Sequence, residues 1–471
     1  MDTEIEDEAL RPRTQKKREK KKRRNTFFTS PSSSFLTHLY TTYLPTDTTL
    51  FSLSLSPTTS PLKIFDAAKA QRRFVYACAP MVRYSKLAFR QTVRHYGADL
   101  CWTPMILAKE FNRSAVARDS DLTISSPRSP SLSSSSSSSA LLPPPGELPT
   151  IAQFGASDAA ELARAASLAA PFVNGVDLNC GCPQSWACAS SLGAALMERR
   201  EAVREMVVRT RRALADDGWG VGLERDMDHD RGRSVSVKIR VHKDLRRTVD
   251  FVNAVLWGEG GGGGAAERRS VDWLTIHPRT RHTPSSAPVD LEALRLLTDM
   301  FGDRVPVLVS GDVFALSELP YTLSSPLPTF TTNTTTNTTT TTTTTEETPS
   351  PPSSSPLIPI PKLSGLMSAR GLLSNPALFS GRAACPWEAV DVFMSAVARA
   401  PLPLKLAVHH LSEMCGPGFS AAQRAPGAAL LTRRQRARLA DLGNWLDVVD
   451  YMDAVRREAT GGRDRGMVRY G

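Results

Sequence analysis

Eight short apolar runs, most of them ending on polar or glycine residues, restrict the folding of this chain more than any other feature. They are 74–81 (FVYACAPM), 98–104 (ADLCWTP), 149–155 (PTIAQFG), 175–181 (GVDLNCG), 235–240 (VSVKIR), 271–279 (VDWLTIHPR), 306–313 (PVLVSGDV) and 363–371 (LSGLMSARG). Each is continuously apolar rather than alternating, as strands buried on both faces are. Helical patterns at 157–170, 192–215, 244–257 and 289–301 separate several of them, and Ser157 with Asp158 is placed to cap the first. Strand–helix units with parallel crossovers close as a (β/α)8 TIM barrel, an α/β fold, more naturally than they extend as an open doubly wound sheet, the competing arrangement.

The 471 residues exceed what one barrel needs, and segments poor in apolar residues account for part of the excess. Residues 1–65, a basic and Ser/Thr-rich tail, have too little apolar surface to offset the entropy of ordering. The same holds for insertions at about 124–147, 258–266 and 324–361, so all are expected to be disordered. The last insertion stands where a seventh helix belongs and would leave the barrel open between Val313 and Leu363. The barrel is placed at 66–382. Residues 383–471 read as a C-terminal helical domain, with Arg-bearing amphipathic helices at 387–400, 404–415 and 433–458.

The formal net charge is +11, of which the first 24 residues contribute +4 and the rest +7. Base spread over the body favours an anionic partner, because each neutralised phosphate releases counterions. The run at 16–24 (KKREKKKRR) has the composition of a nuclear-import or nucleic-acid-binding tail, and equally of a solvated charged run. Cytoplasm and nucleus are therefore the expected compartments. No apolar stretch is long enough to span a membrane. Seven scattered cysteines argue against a disulfide framework, and Cys180, Cys182 and Cys188 lack paired metal-ligand spacing, so no metal is expected. Nothing in the sequence points to a stable protein partner.

Working residues of such barrels lie at the carboxyl ends of the strands. Those ends carry Met81, Gln153, Asn179 with Cys182, Lys238, His277 with Arg279, Gly311-Asp312 and Ala369-Arg370. Buried polar groups cost free energy unless partnered, so a polar planar ligand at the mouth is the natural partner. Lys238 can neutralise an anionic ring edge, and Gly311 and Gly371 allow close backbone approach to a phosphate. Together they suggest a flavin mononucleotide site.

The stretches APMVRYSKLAFRQ (79–91), TPMILAKEF (103–111), AQFGA (152–156), DLNCGCPQ (177–184), VSVKIR, TIHPRTR (275–281), SGDVF (310–314) and LMSARGLLSNPALF (366–379) resemble the tRNA-dihydrouridine synthases. APMVRYSKL and TPMILAKEF suggest the eukaryotic class acting on uridines 20a and 20b. The resemblance implies FMN, reduced by NADPH, that reduces uridine to dihydrouridine in the D loop of tRNA. Hydride goes to C6, and Cys182, in the matching Asn-x-Gly-Cys-Pro frame, protonates C5. An unperturbed thiol is roughly 97% protonated at neutral pH, as an acid must be. Alternation cannot separate Cys182 from Cys180, two residues away on a strand. By the same resemblance Pro80 and Met81 lie against the flavin ring, Gln153 and Lys238 meet its polar edge, and His277, Gly311, Asp312, Ala369 and Arg370 surround the ribityl chain and phosphate. Asn179 would hold the uracil, with Arg279 and Arg281 on the RNA.

Two residues depart from the family pattern. Pro278 stands where Gly is usual, and Ser310 where Asn commonly precedes Gly-Asp. Two other functions compete: a flavin reductase of a small molecule, disfavoured by the basic body and Arg-rich tail, and a catalytically inactive tRNA-binding homologue.

Overall fold

A computed structural model describes residues 60–122, 149–221, 232–257, 269–322 and 358–461. The basic run at 16–24, nearly all of the expected tail and most of the three insertions lie outside the described residues.

The barrel strands are β1 (Val75–Cys78), β2 (Leu100–Trp102), β3 (Thr150–Gly155), β4 (Gly175–Cys180), β5 (Ser234–Arg240), β6 (Trp273–His277), β7 (Val307–Ser310) and β8 (Gly365–Ser368). Each pairs in parallel with the next, and β8 returns to β1 with Leu366 opposite Tyr76, which closes the ring. All eight expected strands are present, and the open sheet is excluded because each of the eight has a barrel neighbour on both sides.

The expected gap between Val313 and Leu363 does not exist. Among the described residues the one helical element between β7 and β8 is a 3-10 turn at Leu316–Glu318, and Tyr321–Thr322 then pairs in parallel with Ile358–Pro359. The Ile360 N–H donates to the Thr322 carbonyl at 2.8 Å. The chain therefore leaves and re-enters the described structure at adjacent points, so β8 can reach β7 whatever lies between. Residues 358–361 belong to this stem rather than to the insertion. Similar stems join Gly220 to Gly232 and Ser270 to Leu256.

The boundary at residue 65 also needs correction. Helix α1 (Pro61–Ala70) begins inside the stretch expected to be unordered, with Pro61 in its first turn. Its Leu62, Ile64, Phe65 and Ala68 pack on the inward side chains Val75, Ala77, Leu100, Trp102, Ile151, Trp273, Leu308 and Met367. Phe65 lies 5.6 Å from Trp273, ring centre to ring centre. The helix thus plugs the barrel interior from one end, a task invisible to local composition because its partners come from several strands spread along the chain.

Outer helix α2 (Leu87–His95) lies where no helix was expected, whereas α3 (Ala159–Ala169), α4 (Arg200–Asp216), α5 (Leu245–Trp257) and α6 (Leu291–Phe301) follow the expected pattern. Asp158 caps α3 by accepting from the Glu161 N–H at 2.9 Å, as its position suggested. Gly193–Glu198 form a 3-10 turn rather than the start of α4.

The C-terminal region holds α7 (Trp387–Arg399), α8 (Leu404–Met414), α9 (Arg433–Ala440) and α10 (Trp445–Ala459). The single helix expected at 433–458 is broken between Ala440 and Trp445, where Asn444 caps α10 by accepting from the Asp447 N–H. The region is pinned to the barrel by fully buried His410, which packs on Phe89 of α2 and Phe393 of α7, each at 5.0 Å, and on Tyr84 at 5.2 Å. Burial pushes the His410 imidazole down to about 3, so it is neutral at physiological pH.

If α1 is integral to the core, Phe65→Ala lowers stability by about 3–5 kcal/mol in urea denaturation. A loss below about 1 kcal/mol would show that the barrel end is sealed without it.

Candidate active site

Inward-facing residues change character along the barrel. The layers near α1 are apolar, whereas at the carboxyl ends of the strands Gln153, Asp177, Asn179, Ser236, Lys238, Arg240 and His277 point inward. They lead to a cavity of about 250 Å³. Of the residues expected at the site, Pro80, Gln153, Asn179, Cys182, Lys238, His277, Arg279, Gly311, Asp312, Ala369 and Arg370 line it. Two do not. Met81 turns onto the outer core, its N–H donating to Ser85 Oγ at 3.0 Å, and Arg281 lies exposed in the loop after β6.

The structure separates the two cysteines that alternation could not. Strand β4 ends at Cys180, whose side chain joins Val176 and Leu178 beneath the outer helices. The chain then turns at Gly181 and delivers Cys182 to the cavity. Its backbone is held on every side. Asn179 Oδ1 accepts from the Gly181 and Cys182 N–H groups at 3.0 and 2.8 Å, and the Cys182 carbonyl accepts from the Ala194 N–H at 2.8 Å. Arg240 Nε donates to the Gly181 carbonyl at 2.9 Å. Burial raises the Cys182 thiol above its ordinary value, against a weaker lowering by the Gln184 backbone, so it is protonated at neutral pH.

Beside Cys182 the chemistry is cationic. Lys238 is pushed down to about 8, chiefly by desolvation and also by Arg240, with Asp177 opposing. It has no hydrogen bond or ion pair among the described residues. His277 is held near 2 by burial and by the cations Lys238, Arg240, Arg279 and Arg370, so its ring is neutral. Arg279 Nη1 lies 3.0 Å from His277 Nε2, and arginine can only donate, so the imidazole proton sits on Nδ1.

Arg279, expected on the RNA, is buried in the cavity wall. It is 3% exposed, and its Nη2 reaches both oxygens of Asp312 at 2.7 Å while Nε binds the Ala287 carbonyl. The Val289 N–H donates to the same carboxylate at 3.0 Å. Asp312 follows Gly311, and both adopt positive φ, +55° and +115° respectively. A Cβ at Gly311 would sit 2.9 Å from the His277 ring, and one at Gly371 would collide with the Val313 carbonyl. The backbone cradle therefore requires glycine at both places. Arg370 stacks on Phe314 and Phe419, at 5.3 and 4.9 Å to the ring centres, and joins the cavity rim to the C-terminal region.

Residues 77–325 match the dihydrouridine synthase (Dus) family. The chain belongs to that family. It is 34% identical over 339 residues to a human protein named tRNA-dihydrouridine(20a/20b) synthase [NAD(P)+]-like, covering 70% of this chain and 79% of that relative. The Schizosaccharomyces pombe tRNA-dihydrouridine(20a/20b) synthase [NAD(P)+] is 31% identical over 392 residues, covering 82% of this chain and 91% of its own length. A rat tRNA-dihydrouridine(16/17) synthase [NAD(P)(+)]-like protein is more distant, at 27% over 341 residues.

Two residues of this family member's site escaped the sequence reading, Asp177 and Arg240. Both were accessible from alternation, since Asp177 shares a face with Asn179 and Arg240 with Lys238. Asp177 is buried and pushed up to about 6 by desolvation, against hydrogen bonds from Ser236 and Gln153 and the charge of Lys238. Pro278 is accommodated because its carbonyl, not its missing N–H, is used: it accepts from the Asp290 N–H at 2.8 Å. Among the described residues no group of His, Cys, Asp and Glu could hold a metal, and no helix is long and apolar enough to cross a membrane.

Because burial favours the neutral thiol, alkylation of Cys182 by iodoacetamide should reach half its maximal rate at a pH above that for free cysteine. Mass spectrometry of the 178–184 peptide measures this, and a midpoint below free cysteine would contradict the site electrostatics.

Proposed function

We propose that the chain reduces uridine to 5,6-dihydrouridine in the D loop of tRNA, with FMN bound at the barrel mouth and NADPH as reductant. One observation carries this reading: a protonated cysteine shares one cavity at the strand ends with a lysine that has no hydrogen-bonding partner among the described residues. A desolvated ammonium calls for an acceptor, and the polar edge of a flavin ring is one. The glycine cradle at Gly311 and Gly371, with neutral His277 presenting Nδ1–H and Arg370 at the rim, suits a phosphate and its ribityl chain. The residues present fit FMN.

FMN held there would supply hydride chemistry toward C6 of the uracil, with NADPH as the source of its electrons. Everything else falls to the chain. Lys238 and Gln153 would hold the polar edge of the ring, and Pro80 would lie against it. Cys182, kept neutral by burial, gives its proton to C5, so one hydride and one proton saturate the double bond. The thiol is only partly buried, so solvent can restore that proton. Asn179 holds the Cys182 loop, and its remaining donor would hold the uracil. Arg279 positions Asp312 and His277 rather than touching RNA.

A uracil must leave its stack to reach this depth, at a cost of a few kcal/mol that contacts along the tRNA must offset. Exposed Arg281 and the exposed Arg433, Arg434 and Arg438 of α9 are the basic residues we assign to that role.

Cys182→Ala should abolish dihydrouridine formation, mapped by mass spectrometry of tRNA, while leaving the protein yellow with flavin. Retained activity would refute the acid, and a colourless wild-type protein that still binds tRNA would refute the enzyme.

Lys238 supplies a second test. Its ammonium is charged below about 8 and loses its proton above it, so FMN affinity of flavin-free protein should weaken as pH rises through about 8. Fluorescence titration should show that break in the wild type and none in Lys238→Gln. The same break in the variant would assign it to another group.

A further inference from the structure

We propose that Asp177 is a positioning residue for the reduction, setting the direction of a chain of hydrogen bonds that ends on the backbone of Cys182. The role of Cys182 as acid rests on the function proposed above; the hydrogen-bond chain does not.

Three strands bring Asp177 to its partners in register. Gln153 of β3 and Ser236 of β5 are its Cα partners on either side. The Ser236 hydroxyl donates to Oδ1 at 2.6 Å, and Gln153 Nε2 donates to Oδ2 at 2.7 Å. An ionised carboxylate can only accept, so it draws the nitrogen of the Gln153 amide and turns the oxygen away. That oxygen accepts from Asn179 Nδ2 at 2.7 Å. The Asn179 amide is thereby turned as well, its Oδ1 facing the Gly181 and Cys182 N–H groups. An amide side chain can be built either way round, but an acceptor-only group at one end and donor-only groups at the other leave one consistent assignment.

Asp177 does not line the cavity, whereas Gln153, Asn179 and Cys182 do. It acts through them. Two amides that would otherwise flip are held with fixed polarity, and the thiol loop keeps one conformation. The Arg240 contact to the Gly181 carbonyl is separate, so loss of the chain should free the two N–H groups without unfolding the loop.

Asp177→Leu removes the acceptor, and Asp177→Asn restores it. In the asparagine variant Oδ1 can accept from Gln153 while Nδ2 donates to Ser236, whose hydroxyl reverses its role. Hydrogen exchange of the peptide spanning 178–184, in full-length protein without tRNA, reads the chain directly. We expect exchange at Gly181 and Cys182 to rise about tenfold or more in Asp177→Leu, to stay within about threefold of wild type in Asp177→Asn, and to be unchanged along β5. With tRNA and NADPH, kcat should fall at least about tenfold in the leucine variant with KM for tRNA within about twofold.

Three outcomes would overturn the proposal: unchanged exchange at 181–182, a uniform rise along the barrel strands, or an asparagine variant as impaired as the leucine one. If Asp177→Leu does not fold, Asp177→Asn combined with Ser236→Ala takes its place. Without the hydroxyl the amide introduced at position 177 loses the partner that takes its Nδ2 and keeps only Gln153 and Trp102, so exchange should rise above that of Asp177→Asn alone, and equal exchange would sink the idea. A wild type that forms no dihydrouridine would defeat the proposed function and leave the exchange result standing.

Discussion

Closure of eight parallel strands is the constraint on which the other features of this protein depend. Parallel pairing sends every strand in the same direction, so all eight carboxyl ends reach one rim. Residues far apart in the chain, such as Cys182, Lys238 and Arg370, meet there because the ring closes. Closure also divides the interior. Trp102, Trp273 and Met367 pack against α1 at one end, and that dry floor desolvates the polar layer above it. The lowered Lys238 and the raised Asp177 are consequences of the same burial, with opposite signs because one charge is positive and the other negative.

The polar layer is organised by direction as much as by charge. Arg279 binds Asp312, a pair that shapes the Gly311-Asp312 turn, and sets the tautomer of His277. On the other side Asp177 orients Gln153 and Asn179 toward the Cys182 loop. Each side has a carboxylate, Asp312 in the cavity wall and Asp177 behind it, whose partners in turn aim neutral groups that line the cavity. Fixed dipoles of this kind need not reorganise when charge moves, which is why such shells support proton and hydride chemistry.

Much of this was legible beforehand, for identifiable reasons. Strands buried on both faces read as continuous apolar runs, so β1 to β8 stood out, and polar residues at their ends marked the rim. The Asn-x-Gly-Cys-Pro frame distinguished Cys182 from Cys180 where alternation could not. What escaped notice was non-local. Helix α1 sits next to a Ser/Thr-rich stretch and is justified only by partners on strands spread across the barrel. The paired stem of Tyr321–Thr322 and Ile358–Pro359 joins segments far apart in sequence, so the chain between them looked like a breach in the barrel. Met81 was placed at a strand end on the strength of the run, yet the turn after Pro80 carries it onto the outer core.

The amino-acid sequence alone determined the strand count, the barrel and the identity of many of the polar cavity residues, because these follow from periodicity and from motifs a few residues long. Tertiary structure decided which side chains are free to act. Arg279 was expected on the RNA and is committed to Asp312, while Lys238, expected to meet an anionic ring edge, lacks a hydrogen-bonding partner among the described residues. Burial and hydrogen-bond partnership arise from residues brought together across the ring, and no local pattern encodes them.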